Sequence, residues 1–161
     1  APADVKQRWH WSFPLHISPH DHNKVYVGSQ VVHQTTDGGQ SWDAISPDLT
    51  LNDKERQQNS GGLTIDNLYT WDGAVLFAIA ESPIERGLIW TGSNDGQVQL
   101  TRDDGQNWTN VTENIAGLDP WGTIANVEPS RFDAGTAYIA VDHHHNGDRL
   151  PLTPPLLLAA R

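Results

Sequence analysis

The chain has no cysteine and no methionine among its 161 residues, and only 10 Lys and Arg against 20 Asp and Glu. Without thiols there are no disulfides, and the compartment stays open. A formal charge of −10 argues against nucleic acid and against an anionic membrane as partners. The apolar tail, residues 151–160, is too short and too rich in proline to span a bilayer. No signal-peptide pattern is visible, and Ala1 in place of Met predicts a processed or recombinant start. At this length the chain is one domain, large enough to bury a core.

What is present is repetition. Thr35-Thr36-Asp37-Gly38-Gly39-Gln40-Ser41-Trp42 is echoed by Thr101-Arg102-Asp103-Asp104-Gly105-Gln106-Asn107-Trp108. Both copies follow alternating apolar runs and fit a box of Thr, Asp, Gly and Trp at fixed spacing. Turn chemistry explains the residue types. The Asp carboxylate accepts backbone N–H groups, the Gly takes a positive φ, and the Trp folds back over the hairpin as an apolar lid. Thr35, Asp37, Gly39 and Trp42, with Thr101, Asp103, Gly105 and Trp108, are therefore structural residues.

The flanks repeat as well. Ser18-Pro19 precedes Val25-Tyr26-Val27-Gly28, Ser82-Pro83 precedes Ile89-Trp90-Thr91-Gly92, and Pro129-Ser130 precedes Ala137-Tyr138-Ile139-Ala140. Tyr26, Trp90 and Tyr138 align at separations of 64 and 48 residues, the second close to the roughly 40–50 residues of a four-stranded propeller blade. The predicted class is all-β, built from propeller blades of four-stranded antiparallel sheets and forming an incomplete ring. Residues 12–50 are read as blade 1, 51–73 as an insertion, 74–115 as blade 2, 121–142 as the inner half of blade 3, and 143–161 as a divergent Pro/Leu-rich tail. No third box follows Asp142, and the tail reads as a truncation or a change of reading frame. Its three prolines within five residues suit neither a central strand nor a helix.

These boxes and flanks resemble the Asp-box, or BNR, repeat propellers: the sialidase-like, xyloglucanase-like and sortilin (VPS10)-like proteins, including bacterial "BNR repeat glycosyl hydrolase" proteins. The resemblance runs from about Trp9 to Asp142. It implies a propeller fold and a secreted or periplasmic setting, while the family spans enzymes, receptors and assembly factors. Sialidases hold a carboxylate substrate with an arginine cluster. Here the arginines are scattered over turns and ends, so sialidase activity is not expected.

Several residues invite a chemical role. His16, His20 and His22, with Asp21, lie close enough in sequence to suggest a metal site, and His143, His144 and His145 form a second cluster. The plainer reading is polar loop histidines, because the spacings match no zinc motif, and no metal or other cofactor is expected. Glu81 and Glu128 sit at what reads as one repeat position, before the Ser/Pro turn closing an inner strand. A carboxylate pair of this kind suits glycoside hydrolysis. Recurrence in successive blades points instead to a structural role. Trp71 and Trp121 are candidates for stacking on sugar rings, with packing between blades as the alternative.

Two function classes remain open. The first is a non-catalytic propeller fragment acting as a binding or assembly module, with a protein or carbohydrate ligand. Its uncovered apolar blade faces predict homo-oligomers. The second is a glycoside hydrolase, or a remnant of one, acting on a polysaccharide.

Overall fold

The computed structural model describes residues 7–57 and 74–144, together with the backbone of 156–159. Three antiparallel sheets follow one another along the chain. Blade 1 contains β1 (Leu15–Ile17), β2 (Val25–Gly28), β3 (Val32–Thr35) and β4 (Asp43–Ala44). Blade 2 contains β5 (Leu76–Glu81), β6 (Ile89–Ser93), β7 (Val98–Thr101) and β8 (Thr109–Asn110), with each strand paired to the next in both blades. Blade 3 contains β9 (Thr123–Pro129), β10 (Thr136–Asp142) and β11 (Leu156–Ala159), in the order β11-β10-β9. The chain is thus a run of propeller blades whose ring is not closed.

The third sheet exceeds the inner half expected from sequence. The tail supplies β11 as an edge strand, with Ile139 opposite Leu156 and Ala137 opposite Leu158. The described part of this strand begins after Pro151, Pro154 and Pro155 in the sequence. In blades 1 and 2 the residue paired opposite Val25 or Ile89 is the box threonine, Thr35 or Thr101. The same register places Leu158 there in blade 3, with Ala160 two residues on. Neither residue type has the hydroxyl or carboxylate that the box turn uses.

The two boxes close in the same way. The Thr35 hydroxyl donates to Asp37 Oδ1 at 2.8 Å and accepts the Gly39 N–H at 3.0 Å. Asp37 then accepts the Ser41 N–H at 3.0 Å and the Ser41 hydroxyl at 2.6 Å. Thr101, Asp103, Gly105 and Asn107 repeat this set, with the Asn107 amide in place of the serine hydroxyl. These bonds favour the ionised carboxylate and hold Asp103 down to about 2, the Asn107 side chain contributing most. Asp37 is depressed in the same sense, chiefly by Ser41. The tryptophans differ. Trp42 stays 41% exposed, whereas Trp108 reaches across to blade 1 and donates its indole N–H to the Ile45 carbonyl at 3.0 Å.

Each blade also opens its first hairpin with a serine turn. Ser18, Ser82 and Ser130 all accept backbone N–H groups two or three residues on, and their own N–H groups bond the carbonyls of Lys24, Leu88 and Thr136. These bonds set the register between repeats. Tyr26, Trp90 and Tyr138 are equivalent, as are Gly28, Gly92 and Ala140.

Packing follows from that register. Tyr26 and Gly28 face blade 2, where Tyr26, Val32, Leu49, Leu76, Ile79 and Ile89 form one core. Trp90 and Gly92 face blade 3, in a second core with Val98, Leu100, Ile124, Val127, Ala137 and Ile139. The glycines admit the next inner strand. A Cβ on Gly92 would meet Ile124 Cγ2 at 2.3 Å, and one on Gly28 would meet Pro14 Cγ at 2.8 Å and Leu76 Cβ at 3.0 Å. Strand β5, between the two cores, is buried on both faces except at Phe77, which is partly buried; its continuous apolar run predicted this.

Candidate functional site

The inner strands β1, β5 and β9 bring His16, Glu81 and Glu128 into one electrostatic neighbourhood. Both carboxylates act on the His16 imidazole and favour its charged form, but burial outweighs them and lowers its pKa. The hydrogen bonds give each group a distinct state. His16 Nε2 accepts the backbone N–H of Glu81 at 3.1 Å. Because Ser82 donates its N–H toward β6, the alternating Glu81 N–H points out of the sheet edge, toward blade 1. An accepting Nε2 requires a neutral ring with its proton on Nδ1.

His20 has the opposite role. Its Nε2 lies 2.8 Å from the Ser82 carbonyl, to which it donates, and the Arg86 guanidinium returns a bond to the His20 carbonyl at 3.0 Å. The two histidines of blade 1 thus clasp consecutive residues of blade 2, one as acceptor and one as donor. This commits Nε2 of both rings. Among the described residues no three His, Asp or Glu side chains gather in a way that could hold an ion, so His16, His20 and His22 are not brought together around a point.

Glu81 is almost fully buried, and both of its oxygens are engaged. Oε1 accepts the Gly87 N–H at 2.8 Å within the β5–β6 turn, and Oε2 accepts the Tyr26 hydroxyl from blade 1 at 3.3 Å. Burial, with the Glu81 charge next in weight, drives the Tyr26 phenol far above its usual range, so it donates at all ordinary pH. The expected equivalence of Glu81 and Glu128 does not hold. Glu81 pairs opposite Ile89, whereas Glu128 pairs opposite Tyr138, the counterpart of Trp90. Glu128 is therefore the counterpart of Ala80 and His16, and the equivalent of Glu81 is Pro129. One residue of offset turns the side chain to the other face of a strand, and Glu128 is exposed. The two carboxylates do not form a matched pair.

The aromatic candidates divide likewise. Trp71 lies outside the described residues. Trp121 holds a left-handed φ of 66°, and the Arg56 guanidinium sits 3.7 Å over its ring centroid. One face of Trp121 is thus covered by a cation–π contact rather than presented to a sugar. At the same end of the sheets, Asp95 is buried and binds the Leu51 N–H at 2.9 Å and the Ser93 hydroxyl; burial raises its pKa against those bonds. Arg8 bonds the Ala74 carbonyl at 2.9 Å and Asp48 at 2.6 Å, stapling the start of β5 to blade 1. Sequence reasoning read Tyr26 only as a repeat marker and gave no role to Asp95 or Arg8. The serine turns were the one local signal able to correct the Glu81/Glu128 alignment.

No helix among the described residues is long and apolar enough to cross a membrane. No family model and no curated protein matches the chain. Among solved structures it is similar to three GH74 enzymes. The Niastella koreensis enzyme matches with a TM-score of 0.56 at 14% identity, covering 92% of this chain and 21% of that one. An ancestral GH74 enzyme gives 0.55 at 17%, covering 86% and 15%. The GH74 xyloglucanase from Xanthomonas campestris gives 0.51 at 16%, covering 79% and 18%. At this identity the likeness speaks for the fold alone: the chain is a propeller segment about a fifth or less the length of the structures it matches.

Proposed function

We propose that this chain is a non-catalytic, Asp-box type propeller fragment that serves as a binding or assembly module and self-associates through exposed blade faces. One observation carries this reading: blade 1 turns an apolar face outward, with Leu15 60% and Ile17 52% exposed on β1. Covering the half of each side chain still exposed is worth on the order of 1 kcal/mol or a little more, so a partner surface gains by covering them. The engagement of Glu81 by Tyr26 and Gly87 also supports it, since an acid or nucleophile needs a free oxygen at the substrate. Light scattering during size exclusion tests the proposal. A mass above one chain that rises with concentration is expected, and a mass that stays at one chain at all concentrations overturns self-association.

A second reading, a glycoside hydrolase or its remnant, draws on the fold shared with GH74 enzymes and on Glu128, exposed on an inner strand beside His16. Its test is turnover of xyloglucan oligomers and aryl glycosides. Activity that disappears in Glu128→Gln while the fold is retained would establish it.

A further inference from the structure

Resting on the self-association reading, we infer that two copies meet face to face through blade 1, about a two-fold axis, and that the open face of blade 3 takes no part. The surface is Phe13, Leu15 and Ile17, with Trp9 behind them. Leu15 and Ile17 pair opposite Val27 and Val25, so both stand on the side of blade 1 that looks away from blade 2. Trp9 stacks on His33 at 5.3 Å, and Phe13 meets Trp9 edge-on at 5.6 Å. The aromatic part of the surface is therefore already held in place, so little side-chain freedom remains to be lost on contact.

Charge favours this face for contact between two copies. Residues 9–19 contain no Lys, Arg, Asp or Glu, in a chain of net charge −10. Two like molecules repel wherever acidic surface meets acidic surface, and they approach at least cost through a stretch that bears no charge. The face at the other end fails on two counts. First, its side chains include Glu128 and Asn126, both exposed, beside Tyr138 and Ala140. Second, Ala140 stands where Gly28 and Gly92 admit the next inner strand. A Cβ at Gly92 would lie 2.3 Å from Ile124, and Ala140 carries that carbon. A blade seated on blade 3 as blade 3 sits on blade 2 would meet the Ala140 methyl. A head-to-tail stack of copies, blade 1 onto blade 3, is disfavoured, which leaves the self-complementary contact that closes at two.

Sedimentation and light scattering on the full chain and four variants provide the test. The expected result is a species of two copies, weakened at least tenfold by Ile17→Lys and separately by Leu15→Lys, and unchanged by Tyr138→Lys and Asn126→Lys. All four sites are exposed, and unchanged circular dichroism confirms that each variant folds. Dissociation caused by Tyr138→Lys or Asn126→Lys, or growth past two copies with rising concentration, overturns the two-fold contact while leaving self-association standing. A single copy at every concentration overturns both.

Discussion

The two seams between blades differ in kind. Blade 1 meets blade 2 through an apolar core ringed by directed bonds: His16 to the Glu81 N–H, His20 to the Ser82 carbonyl, Tyr26 to Glu81, Lys24 to Asp104 at 2.6 Å, and Trp108 to Ile45. Blade 2 meets blade 3 mainly by close apolar approach, with Trp90 and Gly92 against Ile124, Val127 and Ala137, and a hydroxyl bond from Thr123 to the Asn94 carbonyl at 3.1 Å. One repeat pattern therefore supports two solutions to the same contact. Shape decides the second seam, while hydrogen-bond direction and protonation state enter into the first.

The largest expected effect breaks the second seam. Trp90→Ala empties a site that is fully buried between blades 2 and 3, and urea denaturation should show a loss of about 3–5 kcal/mol. Next, Gly92→Ala should cost about 1–3 kcal/mol through overpacking against Ile124, and more than Gly28→Ala, whose nearest contact is the pyrrolidine edge of Pro14 at 2.8 Å. Equal losses at the two glycines in denaturant titrations would remove the distinction between the seams.

The first seam should be sensitive to acid. Burial lowers the folded pKa of His16 below the unfolded value of about 6.5, so the unfolded chain binds its proton first as pH falls. Its contribution is fully present above about pH 6.5 and is lost as pH drops through the lower folded value. His16→Gln keeps an acceptor for the Glu81 N–H without titrating. Its melting temperature should therefore fall less than the parent's between pH 7 and pH 5, although His10 and His33, also lowered by burial, leave a shared residual slope. Parallel slopes would place the pH response elsewhere. The smallest effect concerns Lys24 and Asp104. Lys24→Met should cost no more than about 1 kcal/mol, and the difference from the parent should shrink in 1 M salt, because Asp104 is well exposed.

Turn chemistry was the most legible part of the molecule. Thr35, Asp37, Gly39 and their counterparts act within five residues of one another, so residue identity and spacing determine the hydrogen bonds. Strand β5 was legible for a similar reason, since a run of apolar residues without alternation suits a strand covered on both faces. The clasp of His16 and His20 was not. It joins residues 62 to 65 positions apart, and nothing in the local pattern records which sheet edge each ring meets. Glu81 and Glu128 misled because the proline follows the serine in one turn and precedes it in the other, so laying the two dipeptides over each other as units shifts the register by one. Strand β11 was hidden by its composition: Leu156-Leu157-Leu158-Ala159 shows no alternation, and its strand identity comes from pairing with β10.

The bonds of the first seam also bear on the order of folding. Trp108 reaches Ile45 across 63 residues, and Lys24 reaches Asp104 across 80. Each hairpin can zip from its own turn, but these contacts wait until both blades exist and the chain between them has closed as a loop. Closure cost grows only with the logarithm of loop length, about 0.6 kcal/mol for each doubling. Added length in the chain between the two blades therefore costs little in stability, while the rate at which the blades find each other slows with the added separation.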